Sequence, residues 1–321
     1  MEILSLPDLG PEHEVSIAVL RANAFSDLDG TALLRKKIAQ GIPYAPYGGL
    51  YAVQGDEVVS MIEVPRLRFT RPRGIELMGG LAYVCTLPRV ARQGLAGALI
   101  QEFFRREESA GIRRVFLWTG RHLVAHSLYV RLGFVDVFET PVFSREVGEP
   151  SPMPSGYASR PAEQGDLAPL ERLRAEAFAR SVGFVERFPG FLRSWVGSGL
   201  VTLPEILVLE RGGERAGYAL LREAWPPGAR QCFEMVVSSP EDRSPLLAAV
   251  EARSRHAWLS LLANPRAGWS ALLASAGYRG SEDRWGVLMA KDLRRPKSVA
   301  ELREELGCDR PDFVAQQLDT F

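Results

Sequence analysis

The sequence predicts an α/β protein of the α+β kind, built as two tandem units, each a mixed twisted sheet flanked by helices. Three observations carry this. The chain has 321 residues, 46% hydrophobic and 24% charged, enough for two buried cores. A Pro/Gly/Ser-rich stretch, residues 148–156, separates two halves as a linker does. The second half then repeats the order of the first: a hairpin, a strand ending at a proline, a helix, and a helix closing on a glycine–aromatic pair.

In the first half, residues 15–26 and 30–40 have helical apolar spacing, with Asp29 or Thr31 placed to cap the second helix. Leu50 to Val64 is expected to be a hairpin turning at Gly55-Asp56. Arg66 to Thr70 follows, then a Pro-Arg-Gly turn and a strand leading to Pro88. A helix over 98–108 and a strand over Arg114 to Thr119 come next, and Phe143 to Val147 is expected to close the first sheet. The boundaries that follow are 1–147 for the first unit, 148–156 for the linker, 157–295 for the second unit and 296–321 for a helical tail. In the second unit a helix runs from Leu167 to about Arg180, a hairpin over 205–221 turns at Gly212-Gly213, and Trp285 to Ala290 is expected to close the sheet. Tail residues Val299 to Leu306 read as a helix, with a second amphipathic stretch over Pro311 to Leu318.

Composition excludes several classes. Lys and Arg number 39 against 39 Asp and Glu, so no net field favours nucleic acid or an anionic membrane surface. No apolar run approaches the roughly 18 residues that span a bilayer. The start, Met-Glu-Ile-Leu-Ser-Leu-Pro-Asp, lacks a basic region and a long apolar core, so a cytoplasmic protein is expected. The three cysteines are scattered and odd in number, implying no disulfide framework. His13, His122, His126 and His256 do not group with them at metal-ligand spacing, so no metal is expected.

The most informative segment is Val84-Cys85-Thr86-Leu87-Pro88 followed by Arg89 to Gly97. It reads as a strand, a proline turn and the glycine-rich start of a helix. A helix begins with backbone N–H groups that lack partners inside it, and its dipole adds positive character there. Small residues at Gly94, Ala96 and Gly97 let an anion approach, and Arg89 and Arg92 add charge. Gly94-Leu95-Ala96-Gly97 has the wrong spacing for a dinucleotide loop, and no Lys-Ser/Thr pair marks a nucleoside-triphosphate loop.

The hydrophobic strand, Pro88, and Gly94 six residues later resemble motif A of the GNAT acyltransferases, which hold the pyrophosphate of acetyl-CoA. Their usual polar residue at the loop start is Ala91 here, with Arg92 one residue on. The second half of the signature follows. Ala125, Leu128, Tyr129, Gly133 and Phe134 match the family's Ala-x-x-Leu-Tyr-x-x-x-Gly-Phe run, and His122 stands where Asn is common. Two such units in tandem are similar to the Eis group, without its sterol-carrier-like third domain.

The resemblance implies a soluble N-acetyltransferase that uses acetyl-CoA as co-substrate and passes the acetyl group directly to a primary amine of a small molecule or peptide. It implies that backbone groups of Val84, Cys85 and Thr86 pair with the pantetheine arm. The loop Arg92-Gln93-Gly94-Leu95-Ala96-Gly97 would take the pyrophosphate, and Val124 and Ala125 would border the cofactor. Tyr129 would give a proton to the departing thiolate. In the Eis group the terminal carboxylate serves as base, which points to Phe321; Glu63, Glu76 and His122 are alternatives more suited to structural roles. His126 is expected at the surface or in helix packing, and Cys85 as core filler. The second unit is expected to be catalytically silent, because Leu246 stands at the position of Gly94 and Leu273 at that of Tyr129. Trp195 and Trp225 are candidates to line a cleft between the units. A non-catalytic acyl-CoA-binding protein is the alternative, and a homo-oligomer is one possible assembly.

Overall fold

The structure, a computed structural model, describes residues 1–25, 30–224, 227–262, 268–281 and 286–315. The first half contains β1 (Glu2–Ser5), α1 (Glu14–Phe25), α2 (Ala32–Ala39), β2 (Tyr44–Gln54), β3 (Glu57–Arg71), β4 (Gly74–Gly80), β5 (Ala82–Thr86), α3 (Leu95–Ser109), β6 (Arg114–Thr119), α4 (Val124–Arg131), β7 (Val135–Thr140) and β8 (Val142–Glu146). The second contains β9 (Tyr157–Pro161), α5 (Leu167–Ala177), β10 (Val185–Glu186), α6 (Phe191–Ser198), β11 (Ile206–Arg211), β12 (Glu214–Ala224), β13 (Ala229–Val237), α7 (Arg243–Arg253), β14 (Trp258–Leu262), α8 (Ser270–Ser275), β15 (Arg279–Gly280), β16 (Gly286–Asp292) and α9 (Val299–Leu306).

Local signals place most of these where the spacing predicts. The β2–β3 hairpin turns at Gly55, whose φ of 62° is the left-handed geometry a two-residue hairpin loop needs. α1 turns Ile17 and Leu20 onto the sheet and leaves Val15 and Val19 outside. The cap expected of Thr31 is not made: its hydroxyl bonds Glu14 instead, and Asp29 lies outside the described residues.

The main departure from the sequence reading concerns the closing strands. The first sheet runs β1-β2-β3-β4-β6-β16-β7, with β5 and β10 also paired to β3; the second runs β15-β8-β14-β13-β12-β11-β9. Phe143 to Val147 therefore does not close the first sheet. Phe143 pairs with Leu261 and Ser144 with Ser260 and Arg279, all in the second sheet. Likewise β16 inserts into the first sheet, antiparallel to β6 and β7, with Met289 opposite Leu117 and Leu288 opposite Phe138; Trp285 itself lies outside the described residues. The halves exchange a strand. The reason is local: only Pro141 separates β7 from β8, and a hairpin back onto β7 needs at least two loop residues. β8 must run on into the neighbouring sheet, and β16 takes the vacant place. Val287, Leu288 and Met289 become fully buried there, each contributing on the order of 1.5–3 kcal/mol.

The tail follows as α9, whose Ser298 and Glu301 form a reciprocal capping box. Leu302 and Leu306 pack with Phe116, Phe138 and Phe313 on the first sheet. The stretch after α9 is not helical over 311–315; Phe313 bridges to Val182, and residues 316–318 lie outside the described residues. Among the described residues no helix is long and apolar enough to cross a membrane.

Candidate active site

The centre of the first sheet splits open. β4 pairs in parallel with β6 at Gly79–Val115 and Gly80–Phe116, and the Leu81 N–H donates to Phe116 O at 3.0 Å. From Ala82 onward the chain, now β5, pairs with β3 and no longer with β6. A register shift between Met61 and Glu63 and the left-handed Tyr83 (φ 49°) bend β5 away, as a bulge does.

The edge so exposed is specific. The Leu87 N–H donates to Val59 O at 2.9 Å, and Cys85 pairs with Met61 while its carbonyl accepts from Ser60 Oγ at 2.9 Å. Strand alternation then turns the N–H and C=O groups of Val84 and Thr86 toward the opening. Of the three strand residues singled out in sequence, Val84 and Thr86 present backbone to the opening, and the Cys85 backbone is taken by β3. Burial pushes the Cys85 thiol up, so it is no thiolate.

Beyond Pro88 the loop Ala91 to Gly94 is exposed, with Arg92 and Gly94 both left-handed (φ 64° and 81°). A left-handed arginine is a strained conformation, and Arg92, being exposed, gains no packing in return. α3 has no side-chain cap, and its first intrahelical bond is from the Ala98 N–H to Gly94 O at 2.9 Å. The N–H groups of Leu95, Ala96 and Gly97 precede that bond and remain as donors. A Cβ built on Gly94 or Gly97 meets no atom within 4 Å, so no side chain fills the seat. Leu95 is buried and anchors the helix, while Gln93 is exposed. Arg89 is committed to Glu57, leaving Arg92 as the cation before α3 without an ion pair among the described residues.

Across the opening stands α4. Val124 is 88% exposed, an apolar residue facing outward beside half-buried Ala125. Tyr129 is buried, set edge-on to Phe134 at 6.0 Å. Burial, and then Cys85, push its hydroxyl well above the usual phenol range. His126 Nε2 meets Asp136 on β7 at 2.9 Å, and His122 is exposed. Glu76 is held by Arg71 at 2.8 Å and Arg114 at 2.5 Å. Phe321 lies outside the described residues.

One cluster escapes the sequence. Glu63 is fully buried, with Arg21 Nη1 at 2.5 Å, the Tyr44 hydroxyl donating at 3.3 Å and Lys37 Nζ at 3.9 Å. The Tyr83 ring lies 4.5 Å from the Arg21 guanidinium and 4.6 Å from Lys37 Nζ. Lys37 Nζ is buried with no hydrogen-bond partner. The available signal was a cation on each apolar helix stripe: Arg21 follows Ile17 by one turn, and Lys37 follows Leu34.

The second half lacks the seat, for a reason different from the one expected. The turn Pro240 to Asp242 runs directly into α7, with no equivalent of the loop 91–94. Helix start aligned with helix start, Gly94 corresponds to Asp242; Leu246 is the fourth residue of α7, buried in the core. The Asp242 carboxylate accepts from Ser238 Oγ at 2.8 Å, the Ser239 N–H at 3.1 Å and the Tyr157 hydroxyl at 3.0 Å. An internal anion already occupies that end of the helix. Leu273 is buried where the first half has Tyr129. Trp195 is not in a cleft either: it is buried against Phe191 at 4.6 Å, and Trp225 lies outside the described residues.

The family model of the acetyltransferase (GNAT) domain matches residues 17–135, from α1 to the start of β7. No curated protein sequence matches. Among solved structures, a GCN5-related N-acetyltransferase from Anabaena variabilis superposes with a TM-score of 0.67 at 12% identity, over 91% of this chain and 72% of that one. The Eis1 protein of Mycobacterium abscessus gives 0.57 at 14% identity, over 91% and 74%. A tandem GNAT protein from the clavulanic acid biosynthesis pathway gives 0.56 at 13% identity, over 92% and 99%. Residues 17–135 thus match the acetyltransferase (GNAT) domain model, in a chain that has the fold of tandem GNAT proteins.

Proposed function

We propose that the chain is an acetyl-CoA-dependent N-acetyltransferase acting on a primary amine of a small molecule or peptide. The observation that carries this reading is the uncapped start of α3, open above Gly94 and Gly97 and adjoining the split between β5 and β6. Such a helix start favours a diphosphate through its donors and dipole. Val84 and Thr86 offer strand-like backbone partners to an extended amide-bearing arm, and Val124 and Ala125 give it an apolar wall. Cys85 contributes packing rather than hydrogen bonds to that arm.

Bound acetyl-CoA supplies the activated acetyl group as a thioester. In the transfer the amine nitrogen bonds to the acetyl carbon, the carbon–sulfur bond breaks, and the amine gives its proton to solvent water, from which the Tyr129 phenolate is reprotonated. Tyr129, protonated throughout the physiological range, donates its hydroxyl proton to the leaving sulfur. Glu63 is already the counter-ion of Arg21, so its part is to hold Tyr44 and the β5 bulge in place. The second unit, with no loop and an internal carboxylate at its helix start, is read as taking no cofactor.

The test is a thiol-release assay with acetyl-CoA and a panel of amines, run beside calorimetric titration of CoA. Turnover on at least one amine supports the transferase. CoA binding without turnover on any amine makes the protein a binder, and absence of CoA binding removes the reading altogether.

A further inference from the structure

A cavity of about 850 Å³ lies where the two halves meet, between the β3–β4 turn of the first and α5, α6 and the segment joining them in the second. Its wall is built jointly: β10 pairs with β3 at Val185–Phe69, and the Phe184 N–H donates to Thr70 Oγ1 at 3.1 Å. Thr70 stands ten residues along β3 from Ser60, which pairs with Thr86, so the cavity is about 30 Å from the acyl-transfer cleft.

The walls are largely apolar, with Ile75, Val182, Phe184 and Phe188 on them. The acids that line it are spent. Glu171 accepts from the Gly190 and Leu192 N–H groups at 2.8 and 2.7 Å, capping α6, and Glu186 is paired with Arg68. Arg174 and Arg187 are held by Glu234 at 2.9 and 3.0 Å, and Arg71 by Glu76 at 2.8 Å. Arg172 and Arg193, both exposed at the rim, have no ion pair or hydrogen bond among the described residues. The volume is that of a small-molecule site, and two guanidinium groups without counter-ions beside an aromatic wall select an anion with an apolar body.

We propose that this cavity is a second binding site, for a hydrophobic carboxylic acid, with Arg172 and Arg193 holding the carboxylate and Phe184 and Phe188 the body. The site does not depend on the transferase reading.

The experiment titrates the full chain with decanoate, decanol and decylammonium by calorimetry, with and without saturating CoA so that the cleft beside β5 is filled in one arm. Decanoate binds in both arms, decanol at least about tenfold more weakly, and decylammonium not at all. The double variant Arg172→Ala/Arg193→Ala, at exposed positions, weakens decanoate by about tenfold or more and leaves decanol unchanged. Ala175→Trp, which puts bulk into the cavity from an exposed helix position, abolishes binding of all three. Equal affinity for the three head groups, retained decanoate binding in the arginine variant, or binding that survives Ala175→Trp would each overturn the proposal. Failure of CoA to bind leaves the decanoate result standing and counts against the transferase alone.

Discussion

Gly97→Glu separates an anion seat from an ordinary helix start, because both expect the fold to gain stability and only the seat loses affinity for CoA. Gly97 is the third residue of α3, and the space above it is open. In the free protein the new carboxylate sits in the first turn, where the dipole favours it by about 0.3–1 kcal/mol, and replacing glycine in a helix adds about 0.5 kcal/mol. The variant should therefore be about 1 kcal/mol more stable in urea unfolding. Toward CoA the same charge is repulsive. A carboxylate about 5 Å from two phosphate charges costs about 1.7 kcal/mol at the dielectric of water, or roughly 15-fold in affinity, and more as the loop excludes solvent. Gly97→Gln supplies the bulk without the charge and should lose much less. Calorimetric CoA affinities of the three proteins, at two salt concentrations, decide the matter. If Gly97→Glu binds CoA within twofold of wild type, or if the Gln variant is equally impaired, the charge argument for this seat is refuted.

Tyr129→Phe should lower kcat by about 100-fold or more and leave CoA affinity within about threefold, read by steady-state kinetics and calorimetry; a parallel loss of binding would make Tyr129 a packing residue. Because its hydroxyl is held above the usual phenol range, the wild-type rate should show no alkaline fall below pH ~10 from this group. Lys37→Met removes a buried ammonium without a hydrogen bond, while Glu63 keeps Arg21. It should be close to neutral in urea, because Arg21 still compensates Glu63, and a clear destabilisation would show the Lys37–Glu63 contact to be needed. Burial alone would raise the Glu305 carboxyl, but Lys297 and Arg114 hold it down to about 2 from its ordinary 4.5. A depressed carboxyl stabilises above its unfolded value, so the docking of α9 should weaken as pH falls from about 4.5 toward 2 and not above that range. Proteolysis of the tail against pH measures this, and Glu305→Gln should flatten the dependence. Residues 1–147 expressed alone lack β16 and should show no cooperative unfolding, whereas co-expression with residues 148–321 should restore it; a stable isolated fragment would disprove the need for strand exchange.

Much of the site was legible because its signals are local. The bend at Pro88, the glycine start of α3 and the Tyr129 to Phe134 run need only a few consecutive residues to specify turn, helix and spacing, and each lies where its residues predict. The Glu63 cluster was not legible. Its members are spread from residue 21 to residue 83; Glu63 stood only as an alternative base, and the others taken singly look like surface charges or strand tyrosines. Matching Leu246 to Gly94 failed for a related reason. Counting from the proline assumes equal loop lengths, and the second half has no loop there.

The sequence alone determined most helices and hairpins of both halves and the glycine-rich loop before α3, because periodicity, turn chemistry and capping act over a few residues. Tertiary structure decided which sheet each closing strand joins, what neutralises Glu63, and that the β3–β4 turn and the segment before α6 enclose a cavity. A strand's side-chain pattern says that it will be buried on a sheet but not on which one, since backbone pairing is the same with either partner. Here a one-residue connection at Pro141 forbade the nearer partner, and the two sheets were completed by each other's strands.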